Sequence, residues 1–247
     1  MKSAILTFTP LMAAISWTIA LIVDPAGLGP ASVLLIGLGL LSMATVAVVG
    51  MILSGGLWAR RLAFGVILAC MLVATVRPID PMWYVSLALT AVALAAMLLP
   101  SVTSRLRKLP STSGPPPMSV LTPMVLLAAP FIIGLTAVNA TPWAMIVVGL
   151  GALVSAFAYA RVIPGGLFAV RILWPATAIG LSPLLGVPAG IESALLGIVV
   201  GGLAWHHTVK VAFHPPTETG TTYAIPPELA PQEVLDTAHI DDHGQPR

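Results

Sequence analysis

Gly55-Gly56-Leu57-Trp58-Ala59-Arg60-Arg61 returns later in the chain as Gly165-Gly166-Leu167-Phe168-Ala169-Val170-Arg171. Two glycines, an aromatic and an arginine keep their spacing 110 positions apart, each time between apolar runs. Other anchors follow in the same order. Thr9-Pro10-Leu11-Met12 is answered by Thr122-Pro123-Met124-Val125 at an offset of 113, and Gly37-Leu38-Gly39 by Gly149-Leu150-Gly151 at 112. Short loop deletions leave an offset that drifts in this way. The pattern reads as an internal duplication, which decides the fold reading if it is real.

Composition names the solvent. Of 247 residues, 57% are hydrophobic and only 8% charged, with a mean hydropathy of +0.99. Soluble domains carry roughly 25% charged residues. So few charges cannot clothe a water-facing surface, and lipid must surround most of the chain. A single cysteine, Cys70, excludes an internal disulfide framework and any multi-cysteine metal site.

A membrane-spanning helix needs about 20 mainly apolar residues. Eight runs approach that length: Ile5 to Val23, Ala31 to Leu53, Leu62 to Val76, Met82 to Leu99, Val120 to Val138, Trp143 to Ala160, Leu167 to Leu185 and Pro188 to Trp205. Lys2 before the first run invites comparison with a signal peptide. The run is long for that, no small-x-small cleavage site follows, and it aligns with the internal run Val120 to Val138. It is therefore expected to stay as a helix. Clusters of proline and glycine, such as Asp24-Pro25-Ala26-Gly27-Leu28-Gly29-Pro30, punctuate the runs.

The expected fold is an all-α integral membrane protein of eight transmembrane helices in two tandem four-helix repeats, residues 1–100 and 119–210. A basic, proline-rich cytoplasmic linker, 101–118, joins them. Residues 211–247 hold six of the nine acids and few large apolar side chains, which predicts a disordered acidic tail.

Short cytoplasmic loops carry the excess of Lys and Arg. With eight spans, one set of loops holds Lys2, Arg60, Arg61, Arg105, Arg107, Lys108, Arg161, Arg171 and Lys210. The other holds only Arg77, with Asp24, Asp80 and Glu192. This split places both termini in the cytoplasm, and the compact loops without organelle-targeting features point to a bacterial inner membrane. Four helices per repeat keep the two copies in one orientation, with a pseudo-symmetry axis along the membrane normal.

Function is less legible. There is no HExxH zinc pattern, no GxSxG elbow and no phosphate loop, so no enzyme is expected, and no cofactor. The adjacent His206 and His207 diverge by about 100° on a helix and make poor joint metal ligands. Nothing points to nucleic acid. Anionic lipids at the basic cytoplasmic face are the expected partners, with a membrane-protein partner or a second copy beside them.

Five residues stand out as pathway or lipid contacts. Arg61 and Arg171 lie at cytoplasmic helix ends, where long stems let charges reach the interface. Asp80 and Glu192 occupy comparable places, before the fourth helix and in the first turns of the eighth, where a helix N-terminus favours carboxylates. Arg77 is placed to pair with Asp80 across the turn. Pro175, with Gly180 and Pro183, interrupts the seventh run and frees backbone carbonyls that can line a cavity. Ser193, Gly197 and Gly201 form a small-residue face for close helix packing. Six tryptophans fall mostly near run ends, as an aromatic belt requires, with Trp174 the exception. Two functions fit: a permease-like protein moving a small or lipidic solute between the repeats, or a non-transporting accessory subunit docking through its acidic tail.

Overall fold

A computed structural model describes residues 6–53, 57–102, 118–137, 139–161, 163 and 165–206. Residues 103–117 of the linker, the tail, Lys2, the Gly55–Gly56 turn and His207 lie outside the described residues.

The described chain is helical, with no strand. Its helices are α1 Thr9–Val23, α2 Pro30–Leu53, α3 Leu57–Val76, α4 Pro81–Leu98, α5 Met118–Thr136, α6 Pro142–Ala160, α7 Gly166–Gly180 and α8 Val187–Ala204. Five of them (α2, α3, α4, α6 and α8) are long and apolar enough to cross a membrane. The apolar stretches Thr9–Val23, Val120–Thr136 and Gly166–Gly180 are shorter. Several starts use proline where its missing N–H costs nothing: Pro81 opens α4 and Pro142 opens α6. Asp80 also caps α4 by accepting from the Trp83 N–H.

Two expected boundaries move. α3 begins at Leu57, five residues before the run reading. Arg60 and Arg61 therefore sit on its first turns and not in a loop, because their long stems cost a helix little. α7 stops at Gly180, and a tight 3-10 turn, Ser182–Leu185, carries the chain to Gly186. There φ is +77°, a backbone state glycine adopts without strain.

Within α1–α4, α1 packs on α2 and α4 and less extensively on α3, α2 packs on α3, and α3 on α4. Within α5–α8, α5 packs on α6 and α8, α6 on α7, and α7 on α8. The two sets meet chiefly along α2 and α5. Glycines bring these two backbones together. A Cβ on Gly39 would stand 2.6 Å from the Phe131 backbone nitrogen, and one on Gly134 would stand 3.0 Å from the Ser32 carbonyl oxygen. The cores also exchange side chains. Phe131 of α5 is buried among α1–α4, and Leu35 of α2 among α5–α8.

Polar groups inside the bundle are paired across helices, as apolar surroundings demand. Ser16 of α1 and Ser86 of α4 lie 2.7 Å apart, and Trp17 Nε1 donates to Thr90 Oγ1 at 2.9 Å. Trp17 is wholly buried, so it belongs to the core and not to an aromatic belt. Trp174 is buried too, and its Nε1 donates to the Val148 carbonyl at 3.0 Å. Trp143 and Trp205 are exposed near helix ends.

Candidate functional site

A groove of about 360 Å³ runs between α3 and α5, at the junction of the two sets. Met43 of α2, Leu68 and Leu72 of α3, and Ala128 and Phe131 of α5 line it. Among the described residues, Arg61 is the only charged one in the lining; it is exposed, with Trp58 one turn away on the same helix. Gly65 also faces the groove, and a Cβ there would meet nothing within 4 Å. From Trp58 to Leu72 the helix rises about 21 Å, most of the ~30 Å hydrocarbon core.

Arg171 has a different setting. Its Nε donates to the Ala204 carbonyl at 2.9 Å, and its guanidinium lies 4.7 Å above the Trp205 ring. The group thus closes the open carbonyl end of α8, where a cation is favoured. Among the described residues, Arg61 makes no such contact. Its neighbour does: Arg60 Nε donates to the Met97 carbonyl near the end of α4 at 3.2 Å and lies 5.4 Å from the Phe64 ring. The heptamer alignment paired Arg61 with Arg171, but the geometry pairs Arg60 with it. The cause is a π turn at Ala169–Leu173 in α7, which takes up one extra residue. The burial pattern moves in step: Ala59 and Ala63 of α3 are buried, as are Val170 and Trp174 of α7, 111 positions on.

The opposite end of the bundle gathers the acids. Arg77 Nη2 donates to Asp80 Oδ2 at 2.7 Å, the expected pairing, and lies 3.9 Å from Asp24 Oδ2. Arg77 is only 4% exposed, and its Nε and Nη1 have no hydrogen-bond partner among the described residues. Asp80 thus caps α4 and balances a buried charge at once. Glu192, one turn into α8, accepts a hydrogen bond from the Thr136 hydroxyl at the end of α5. Asp80 and Glu192 are held by different partners in different sets.

Pro175 is buried. Its carbonyl and ring lie against Gly197 and Gly201, the places where added Cβ atoms would stand 3.2 and 3.7 Å away. Ser193 Oγ donates to the Ala178 carbonyl at 2.9 Å. The small-residue face of α8 therefore packs on α7 inside the bundle, with Pro175 as its counterpart. Among the described residues no cluster of His, Cys, Asp or Glu could hold a metal ion. Cys70 is buried.

Comparison with protein-family models, curated proteins and solved structures finds no match.

Sequence reasoning missed three features. Arg60 was hidden beside Arg61, and only the π turn separates their roles. Pro123 and Pro130 lie inside α5, which stays helical through both, although an interrupted helix was expected only in the seventh run. Tyr159 at the end of α6 is buried and interacts with Thr122 of α5, with the Arg171 charge nearby. Those residues stand far apart in sequence, and no local pattern announces them.

Proposed function

We propose that the chain is a multi-pass protein of a bacterial cytoplasmic membrane, with eight spans in two tandem sets of four and both termini inside. The main helix contacts shared by α1–α4 and α5–α8 support the duplication, as do the matched arginine contacts to the ends of α4 and α8, although α1 also meets α3. The separation of Arg60, Arg61, Arg161 and Arg171 from Asp24, Asp80 and Glu192 supports the orientation. A membrane-impermeant thiol reagent on intact cells tests it, in a Cys70→Ala background. Ile79→Cys should react from outside, and Arg161→Cys only after permeabilisation. The reverse order would overturn the orientation.

The activity best supported is permease-like handling of a lipidic solute. The observation carrying it is the apolar groove where the two sets meet, lined by the third helix. A lipidic solute is favoured over a water-borne one because apolar side chains dominate the lining. In proteoliposomes, fluorescent nitrobenzoxadiazole-labelled phosphatidylglycerol should become fully accessible to dithionite when the protein is present. Bleaching that stops at the outer-leaflet fraction would remove this reading for phospholipids.

The closed α2–α5 contact favours a second reading, an accessory subunit that transports nothing. Backbones this close leave little room for the sets to rock against each other. Mass measurement of the gently extracted assembly, with and without residues 214–247, tests it. A stoichiometric foreign subunit lost with the tail supports it, and an unaccompanied chain counts against it.

A further inference from the structure

We propose that the α3–α5 groove is a binding site for one acyl chain of an anionic phospholipid, whose phosphate is held by Arg61. The inference rests on the membrane setting and not on transport, and it stands if the protein moves nothing.

Three observations converge on that occupant. The groove is long: from Trp58 to Leu72 it follows about 21 Å of helix, more than half of a ~30 Å hydrocarbon core. Along that length its lining is apolar, with Met43 and Phe131 contributing from the junction of the sets. An adaptable thioether and a flat ring suit a flexible hydrocarbon chain. The charge is at one end only. Arg61 is exposed there, and Trp58 beside it has the amphipathic ring that settles at headgroup depth. Arg60 does not compete for the same headgroup, because it is turned to the Met97 carbonyl.

Gly65 supplies the third observation. Glycine inside a helix costs about 1 kcal/mol relative to alanine. In membrane helices that cost is usually offset by close backbone approach, as at Gly39, Gly134 and Gly197. Gly65 has no such neighbour: an added Cβ would enter open space in the groove. A side chain there would narrow the channel midway, so its absence keeps the channel continuous. An extended peptide would instead need polar partners for its own backbone along the groove, and among the described residues Arg61 is the only charged one lining it.

Native mass spectrometry of the full chain in detergent, titrated with dioleoyl-phosphatidylglycerol or dioleoyl-phosphatidylcholine, tests the site. One phosphatidylglycerol should be retained per chain. Gly65→Leu should lower retention of both lipids, on the order of tenfold, by filling the channel. Arg61→Gln should lower phosphatidylglycerol retention roughly fivefold, as expected for one cation at a headgroup, and leave phosphatidylcholine unchanged. Arg161→Gln, an exposed arginine elsewhere at the same end, should change neither. Wild-type retention in Gly65→Leu, or equal losses in Arg61→Gln and Arg161→Gln, would overturn the proposal. So would a wild-type dimer that Gly65→Leu converts to monomer without altering lipid retention. Should Gly65→Leu fail to fold, the Arg61→Gln selectivity ratio decides alone, since that side chain is exposed.

Discussion

The first four helices and the last four pack in the same order but are secured by different means. In α1–α4 the outer surface of α2 around Gly39 is covered by α5, a helix from the other set. At the corresponding stretch of α6, Gly151 and the Val148 carbonyl are covered by Trp174, from α7 of the same set. Ala63 occupies the matching place on α3 and is too small to do this. At the acidic end the first set uses a buried arginine between two carboxylates, whereas the second uses one hydroxyl and one carboxylate. A shared helix order therefore does not impose shared energetics. Of the two four-helix sets, one depends on its neighbour for closure, and the other closes itself with a large side chain.

Matched substitutions can break or sharpen this contrast, each read as the unfolding midpoint of the detergent-solubilised chain. The largest difference is expected between Asp80→Ala and Glu192→Gln. Asp80→Ala strips the buried Arg77 of its close partner and α4 of its cap, a loss of about 3–5 kcal/mol. Glu192→Gln keeps an acceptor for the Thr136 hydroxyl and should cost under about 1 kcal/mol. Equal losses would show that Arg77 is solvated after all.

Next come Gly39→Ala and Gly151→Ala. The first forces α2 away from the α5 backbone, for about 1–3 kcal/mol. The second places its methyl 3.4 Å from Trp174, an ordinary contact. It should be neutral, or stabilising by up to about 1 kcal/mol through helix propensity. If Gly151→Ala proved as damaging as Gly39→Ala, α6 would have a close partner that Trp174 does not represent.

The smallest effects belong to Arg60→Lys and Arg171→Lys. Each loses a planar group over a ring and a fixed donor to a helix end, worth about 1 kcal/mol. Similar losses support the pairing of Arg60 with Arg171. Arg61→Lys should do almost nothing to stability. A large loss there would restore the pairing that the aligned heptamers suggest.

Helix positions were legible because apolar runs punctuated by Pro and Gly are strong local signals. All eight observed helices lie where such a run was read, although only five are long and apolar enough to count as spans. The ends were less legible. Two glycines before Leu57 read as an extended turn, which delayed the start of α3. The Arg77–Asp80 contact could be anticipated because three residues separate the partners. Thr136 and Glu192 could not be paired, since a 56-residue separation carries no local signature. Trp17 was misread as an interfacial aromatic, because composition near a run end does not reveal a partner such as Thr90 on another helix. The acidic tail, on which the docking idea depended, lies outside the described residues, as do residues 103–117 of the basic linker.

The π turn in α7 has a consequence for how the two halves are compared. It acts like a single-letter slip in a ruler laid along both. Within α3 and α7, residues 110 apart correspond just before it, and residues 111 apart correspond from it onward. A comparison at fixed offset therefore matches Trp174, at the heart of one core, with Phe64 and not with the buried Ala63. The turn also shows how a chain can accept one surplus residue inside a packed helix. The excess is held in a single widened loop of backbone, and the helix beyond it still delivers Trp174 to its place on α6.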